Sequence, residues 1–117
     1  MVASVNSRPL APTSPLSSLA AKLHPSRFPN MSGKMVAILS YLLDQEWTSP
    51  KITSMSITSD HMVLSMEDGD IGFNTIIGSE SDLTRNFTTL LEYPGVNLTP
   101  QEKSLALSLL QSRITRW

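Results

Sequence analysis

The sequence predicts an α+β fold: a three-stranded antiparallel meander with one preceding helix and two following helices packed on its apolar face, plus a flexible N-terminal arm. Three observations lead to this class. Apolar residues recur at helical spacing between residues 33 and 46, residues 51–77 alternate with a period of two, and two further helical patterns follow. A single domain is expected over residues 31–117, because the composition changes near residue 30.

The N-terminal arm, residues 1–30, is rich in Pro and Ser and holds five of the eight prolines of the chain. Proline lacks a backbone donor and biases the residue before it toward extended conformations, so we expect a mostly disordered arm. Residues 17–23 are long enough for two helical turns before Pro25 stops them. Three interpretations stay open: a disordered tail, a targeting peptide, or an arm that docks on a partner or on the acidic body of the domain.

The first element of the domain is a helix from about Gly33 to Glu46. Ser32 is its predicted N-cap, and Pro50 limits it because proline cannot extend the helical hydrogen-bond ladder. Its apolar residues lie three and four positions apart and therefore share one core-facing stripe. The stripe consists of Met35, Val36, Ile38, Leu39, Leu42 and Leu43.

Residues 51–77 contain three short runs in which bulky and small polar residues alternate. Turns are expected at residues 59–60 and 67–70, where Gly69 accepts a positive φ and the connections are short enough for an antiparallel meander. One face is expected to carry Met, Leu, Ile and Phe, and the first run places Thr53, Met55 and Ile57 there. The other face is mainly Ser, Thr, His and Asn, with Val63 and Ile76.

Two helices are expected after the strands. The first is capped by Ser81 or Asp82 and stops before Pro94. Its apolar stripe consists of Leu83, Phe87, Leu90 and Leu91. The second has the clearest start signal in the chain: Thr99 is the N-cap, Pro100 suits the first turn, and Glu102 completes a capping box. Its apolar face is formed by Leu105, Leu109, Leu110 and Ile114.

Composition excludes several classes of protein. The absence of Cys rules out disulfide scaffolds and Cys-ligated metal centres. The longest apolar stretch, residues 35–43, is far shorter than the roughly 20 residues that span a bilayer, so no membrane association is expected. A cytoplasmic location is expected, with an organelle after removal of a transit peptide as the alternative.

The net charge of −1 conceals an uneven distribution. Residues 1–43 carry four cations and no acid, whereas residues 44–117 carry five cations and all ten acids. The basic arm and the basic, aromatic C-terminus supply the candidate interaction residues. These residues are Arg8, Lys22, Arg27, Lys34, Arg113, Arg116 and Trp117.

Candidate chemistry is sparse. Glu67, Asp68 and Asp70 lack the remaining ligand positions of a calcium loop and are interpreted as a hairpin turn. Asp60 and His61 are neighbours, but no nucleophile elbow accompanies them. The turn at residues 78–81 lacks the lysine of a phosphate-binding loop. No catalytic residue, metal site or cofactor is therefore predicted.

Four methionines allow two interpretations. They either line the core or form an adaptable groove for a partner helix, since Met packs against irregular surfaces. The four are Met35, Met55, Met62 and Met66.

The predicted function is a small non-enzymatic protein-interaction module: an adaptor, assembly factor or regulator with a protein partner. Homodimerisation through the sheet edge or the last helix would add burial to a small core. The alternative is a nucleic-acid-binding accessory protein that uses the basic arm and Arg113 with Arg116. An enzyme would require a pocket that gathers Asp60, His61 and the acids of residues 67–70.

Overall fold

The computed structural model describes residues 15–59 and 61–116; Arg8, Asp60 and Trp117, three residues that the sequence analysis singled out, lie outside this part. Four α-helices and four strands follow in the order α1 (Pro15–Lys22), α2 (Gly33–Leu42), β1 (Lys51–Thr58), β2 (His61–Asp68), β3 (Ile71–Ile77), α3 (Glu80–Leu91), α4 (Pro100–Ser112) and β4 (Ile114–Arg116). A short 3₁₀ helix, Pro25–Arg27, connects α1 to α2.

The sheet has the strand order β3-β2-β1-β4. β1, β2 and β3 form the predicted antiparallel meander, and the α+β class is confirmed. The prediction of three antiparallel strands is incomplete, because β4 adds a fourth strand parallel to β1. Ile114 was expected on the last helix; instead it pairs with Met55 and is buried at the end of the sheet.

A register shift in β1 corrects one predicted face. The pairing with β2 is irregular between Ile52 and Ser54, so Ile52 and Met55 both reach the core although they are three residues apart. An extra residue of this kind interrupts the alternation of a strand. Thr53 is consequently exposed, and its hydroxyl donates to the Ser65 carbonyl at 3.2 Å. The expectation that Thr53 lies on the apolar face is wrong.

The helix predicted from Gly33 to Glu46, which corresponds to α2, ends four residues earlier than predicted. α2 begins after Ser32, whose hydroxyl accepts from the Met35 N–H as expected. It ends at Leu42, because Asp44 adopts a φ of 56° and the Gln45 N–H donates back to the Ser40 carbonyl at 2.8 Å. This bond is the usual terminator of a helix whose chain turns through a left-handed residue.

The remaining helix starts differ in how well they were predicted. α3 is capped by Ser79, whose hydroxyl accepts from the Asp82 N–H at 3.2 Å, so the helix starts before the predicted caps Ser81 and Asp82. α4 has the predicted capping box. The Thr99 hydroxyl accepts from the Glu102 N–H at 3.1 Å, and the Glu102 carboxylate accepts from the Thr99 N–H at 2.8 Å.

Residues 15–30, which the sequence assigned to the arm, contribute side chains to the packed core. Leu19 and Leu23 are fully buried, and Phe28 joins the same core. The two leucines are four residues apart and therefore lie on one face of the α1 segment. The high Pro and Ser content concealed this short apolar stripe. The expectations of disorder and of a targeting role for residues 1–14 lie outside the described residues.

The helices cover one face of the sheet. The buried strand residues all lie on this face, and Met55, Met62 and Leu64 have no exposed surface. On the opposite face, Val63 is half-buried and Ile76 is exposed, so that face stays open within the described residues. None of the helices in the described part of the chain is both long and apolar enough to cross a bilayer.

Candidate protein-interaction edge

The outer edge of the sheet, strand β3, carries a concentration of exposed large apolar side chains. Ile71 is 66% exposed, Ile76 is 63% exposed and Phe73 is 40% exposed. Five large apolar side chains are exposed within the described residues, and these three lie on the same seven-residue strand. Such a concentration of exposed apolar side chains is typical of an interaction surface.

The pairing with β2 explains the exposure. Ile77 pairs with Met62 and packs against the core, whereas Phe73 and Ile71 lie farther along the hairpin toward its turn. Ile76 points to the opposite, open face of the sheet because strand side chains alternate. β3 therefore presents apolar groups on both of its faces.

The backbone of β3 is also available for pairing. The hairpin turn consists of Gly69, with a φ of 64°, and Asp70, so Asp68 and Ile71 form the closing pair. A two-residue turn closes on a hydrogen-bonded pair, and the ladder then alternates. The N–H and C=O groups of Gly72, Asn74 and Ile76 therefore point away from β2. No strand of the described chain occupies that side.

β3 lacks the usual protection of an edge strand. Exposed edges normally carry Lys, Pro or an inward-pointing charge that prevents pairing with another chain. The sequence Ile-Gly-Phe-Asn-Thr-Ile-Ile contains no charged residue and no proline over residues 71–77. This edge is consequently competent to accept another strand.

The other edge of the sheet is protected. β4 has only three residues, and the Arg116 guanidinium donates to both carboxylate oxygens of Glu80 at 2.8 and 2.6 Å. It also donates to the Gln111 side chain at 2.9 Å. The hydrogen bond from Arg116 lowers the pKa of Glu80, and Glu80 in turn raises the pKa of Arg116. A short, charged strand of this kind is a poor template for pairing.

Two of the predicted interaction residues near the N-terminus, Lys22 and Arg27, contact the rest of the fold. Lys22 Nζ lies 2.8 Å from Glu102 Oε1 and donates to the Asn97 carbonyl at 3.2 Å. Arg27 donates to the Gly95 carbonyl at 3.4 Å. Lys34 is exposed in the first turn of α2.

Arg113, at the end of α4, packs against α2. Its guanidinium lies 5.2 Å from the centre of the Tyr41 ring and donates to the Tyr41 carbonyl at 3.5 Å. Arg113 and Arg116 are thus near in sequence but bind different elements. The described predicted cations are distributed over α1, the 3₁₀ helix, α2 and the C-terminal end. Those with contacts to other elements are Lys22, Arg27, Arg113 and Arg116.

The candidate catalytic residues are not brought together. His61 starts β2 and Glu67 and Asp68 end it, so about 20 Å of strand separates them. The acids of the hairpin turn are exposed, and Asp60 lies outside the described residues. Within residues 15–59 and 61–116, no three His, Asp or Glu side chains are placed to hold a metal ion.

The four methionines do not form a common groove. Met55 and Met62 are fully buried, and Met66 packs against the core from a partly buried position. Met35 instead lines a groove of about 350 Å³ with Met31, beside α3. The polar groups that line this groove are backbone groups, amides and hydroxyls, including the Tyr93 hydroxyl. The groove therefore offers no carboxylate or imidazole for acid–base chemistry.

Comparison with known proteins gives no family: no family model, curated protein or solved structure matches the chain significantly. Sequence reasoning placed β3 correctly but expected Phe73 and Ile71 to face the core. One feature of the sequence could have indicated an exposed edge: β3 carries Phe73 on one face and Ile76 on the other, and it has no charged residue.

Proposed function

We propose that this chain is a small non-enzymatic interaction module that binds protein along β3. The observation that carries this proposal is a seven-residue edge strand, uncharged and without proline, that exposes Ile71, Phe73 and Ile76. A partner strand added to this edge would complete the ladder and cover apolar groups on both faces. Strand addition is a common mode of protein recognition.

The energetic gain from such an addition is substantial. Complete burial of a large apolar side chain contributes about 1.5–3 kcal/mol, and the three exposed residues of β3 retain roughly half of that. Each backbone hydrogen bond adds about 0.5–1.5 kcal/mol. These terms oppose the cost of association and of ordering the partner. The favoured partner is therefore an apolar, uncharged strand.

Nucleic-acid binding has less support. A sheet that binds RNA usually stacks bases on aromatic side chains of an open face. The described part of the open face carries His61, Val63, Ser65, Asn74 and Ile76, and none of these is Phe, Tyr or Trp. The acids of the turn at residues 67–70 lie beside β3 and repel phosphate. This alternative, which uses the basic N-terminal arm with Arg113 and Arg116, stays a prediction.

The test is affinity capture of the tagged full-length chain from its native extract after nuclease treatment. Wild type is compared with Ile76→Lys, which places a charge on the edge, and with Leu16→Lys, a matched change at an exposed leucine on α1. The proposal predicts that wild type and L16K capture a polypeptide in stoichiometric amount and that I76K does not. An untagged copy of the chain counts as such a polypeptide. Identical capture by all three proteins would contradict it.

A further inference from the structure

We infer that the protein bound along β3 is a second copy of this chain, paired antiparallel about a two-fold axis at Asn74. This inference rests on the proposed function and names its partner. The arrangement joins two four-stranded sheets into one sheet of eight strands. A two-fold interface uses the same surface on both copies, so a strand that fits itself satisfies the whole interface.

The backbone register of β3 suits this symmetry. The outward-facing residues are Gly72, Asn74 and Ile76. An axis at Asn74 places Gly72 opposite Ile76 of the second copy and Asn74 opposite its own counterpart. Each outward N–H then faces an outward C=O, and residues 71–77 overlap over their full length. Asn74 is thus the central residue of β3 and also the central one of its three outward-facing residues.

The side chains on the helix-covered face are also complementary in this register. Ile71 lies opposite Ile77 of the second copy, and Phe73 lies opposite Thr75. The two Phe73 rings become diagonal neighbours, at the spacing of about 7–8 Å across which aromatic side chains still make contact. The 66% exposed Ile71 and the 40% exposed Phe73 are both covered.

On the open face, Ile76 lies opposite Gly72 of the second copy. A Cβ atom added at Gly72 would meet only the Met66 carbonyl, at 3.9 Å, so the single chain has room for a larger residue there. The second copy uses that room for the Ile76 side chain, which is 63% exposed in one chain. The two Asn74 amides face each other on the axis, and each has donors and an acceptor to exchange.

Charge selects the antiparallel arrangement. β3 itself is neutral, but Asp68 and Asp70 lie at its first end. Parallel pairing would place two acidic turns side by side. Antiparallel pairing about Asn74 displaces the two Asp70 residues by eight positions, or ~27 Å along the strands. That separation is about three times the Debye length at physiological salt, so the repulsion is screened.

The first test is the molecular mass in solution, measured by sedimentation equilibrium across the micromolar range. Wild type and L16K are expected to associate reversibly to a dimer. I76K places two lysines in the interface, and a loss of about tenfold in affinity per copy raises the dissociation constant about a hundredfold. A wild-type monomer throughout, or a dimer that I76K leaves unchanged, would overturn the inference.

The second test reads the register, and it uses the absence of Cys from the natural chain. In Asn74→Cys the two thiols lie on the axis, where the Cα atoms of a hydrogen-bonded pair are about 5.5 Å apart, within the range of Cα separations that a disulfide spans. In Ile76→Cys, on the same face of the same strand, the two Cys residues are displaced by four positions, ~14 Å. Under mild oxidation we expect a covalent dimer of N74C and reduced monomers of I76C. Equal crosslinking of both variants, or of neither, would contradict the register.

The two proposals fail differently. A monomeric wild type whose edge still captures a different protein, in an I76K-sensitive manner, would overturn the second copy as occupant and leave the proposed function standing. A monomer with no edge-dependent capture would overturn both. Circular dichroism of each variant verifies that the exposed substitutions leave the fold intact.

Discussion

The carboxylate of Glu102 connects α1 to the N-terminal end of α4. Its oxygens accept from Lys22 Nζ at 2.8 Å, from the Ser18 hydroxyl at 2.5 Å and from the Thr99 N–H at 2.8 Å. Hydrogen bonds from Lys22 and then Ser18 are the main reasons why the pKa of Glu102 falls from 4.5 to about 2. The side chain is only 11% exposed, so water screens these contacts weakly.

Replacing this carboxylate is expected to destabilise the fold in a pH-dependent way. Glu102→Gln loses the ion pair with Lys22 and weakens the capping box, which lowers the free energy of unfolding by about 1–2 kcal/mol at pH 7. Because the folded pKa lies below the unfolded one, the contribution is complete above pH 4.5 and disappears as the pH falls toward 2. Urea unfolding at pH 7 and at pH 3 measures the difference.

The control for this prediction is Glu92→Gln, an exposed carboxyl at the end of α3. It is expected to leave the unfolding free energy within about 0.5 kcal/mol of wild type. An E102Q deficit that persists undiminished at pH 3 would mean that the carboxylate charge is not the cause.

Residue-scale prediction from the sequence succeeded only for local contacts. The capping box of Thr99 and Glu102 was visible because its two residues are three positions apart, a spacing that the start of a helix imposes. The contact between Glu102 and Lys22 joins residues 80 positions apart. No periodicity encodes such a pair. The uneven charge distribution allowed the arm to dock on the acidic body or on a partner, but it did not identify Glu102 as the residue that binds Lys22.

At the scale of elements, α1 is the clearest departure from expectation. It anchors the N-terminal segment through Leu19, which has no exposed surface, while Leu16 on the same helix is 37% exposed. Leu19→Ala is therefore expected to lower the free energy of unfolding by about 2–5 kcal/mol. Leu16→Ala is the matched control and should lower it by less, about 1 kcal/mol, because Leu16 is only partly buried. Denaturant titration of both variants at neutral pH makes the comparison.

Equal stability of L19A and L16A would show that α1 does not pack as described. The expected result also bears on the targeting interpretation. A cut after residue 30 would remove Leu19, Leu23 and Phe28 from the core. A processed form that stays folded must therefore be cleaved nearer the N-terminus.

The other element-scale differences have local physical reasons. β4 has three residues, too few to show a period, and it continues directly from α4, so its Ile114 resembled one more helical position. The register shift in β1 breaks the alternation that predicted Thr53 as a core residue. The three longer strands and three of the helices were predictable because each repeats its pattern over at least seven residues.

At the scale of the whole molecule, the fold class followed from the sequence, but the exposed edge did not. Alternation placed Phe73 and Ile71 on the apolar face. It gave no information on how far the helices extend along that face. Only the packed arrangement shows that β3 extends beyond them, and the proposed interaction surface is a consequence of that packing.

Dimer formation predicts a stability that depends on protein concentration. A partner that binds only the folded state raises Tm by mass action. Wild type and L16K are expected to melt at higher temperature as their concentration rises across the micromolar range. I76K should show a Tm that is independent of concentration, because its edge carries a charge. Scanning calorimetry at several concentrations tests this, and a concentration-independent wild type would contradict the dimer.

The most direct test of the central claim is amide hydrogen exchange of Gly72, Asn74 and Ile76, measured by NMR on wild type and L16K and compared with I76K. The N–H groups of these three residues point away from β2, and no strand of the described chain pairs with them, so a partner strand is expected to protect them. We predict slow exchange in wild type and L16K at high concentration, faster exchange on dilution, and fast exchange in I76K throughout. Fast exchange of all three amides in concentrated wild-type protein would contradict the proposal that a second copy of the chain pairs along β3.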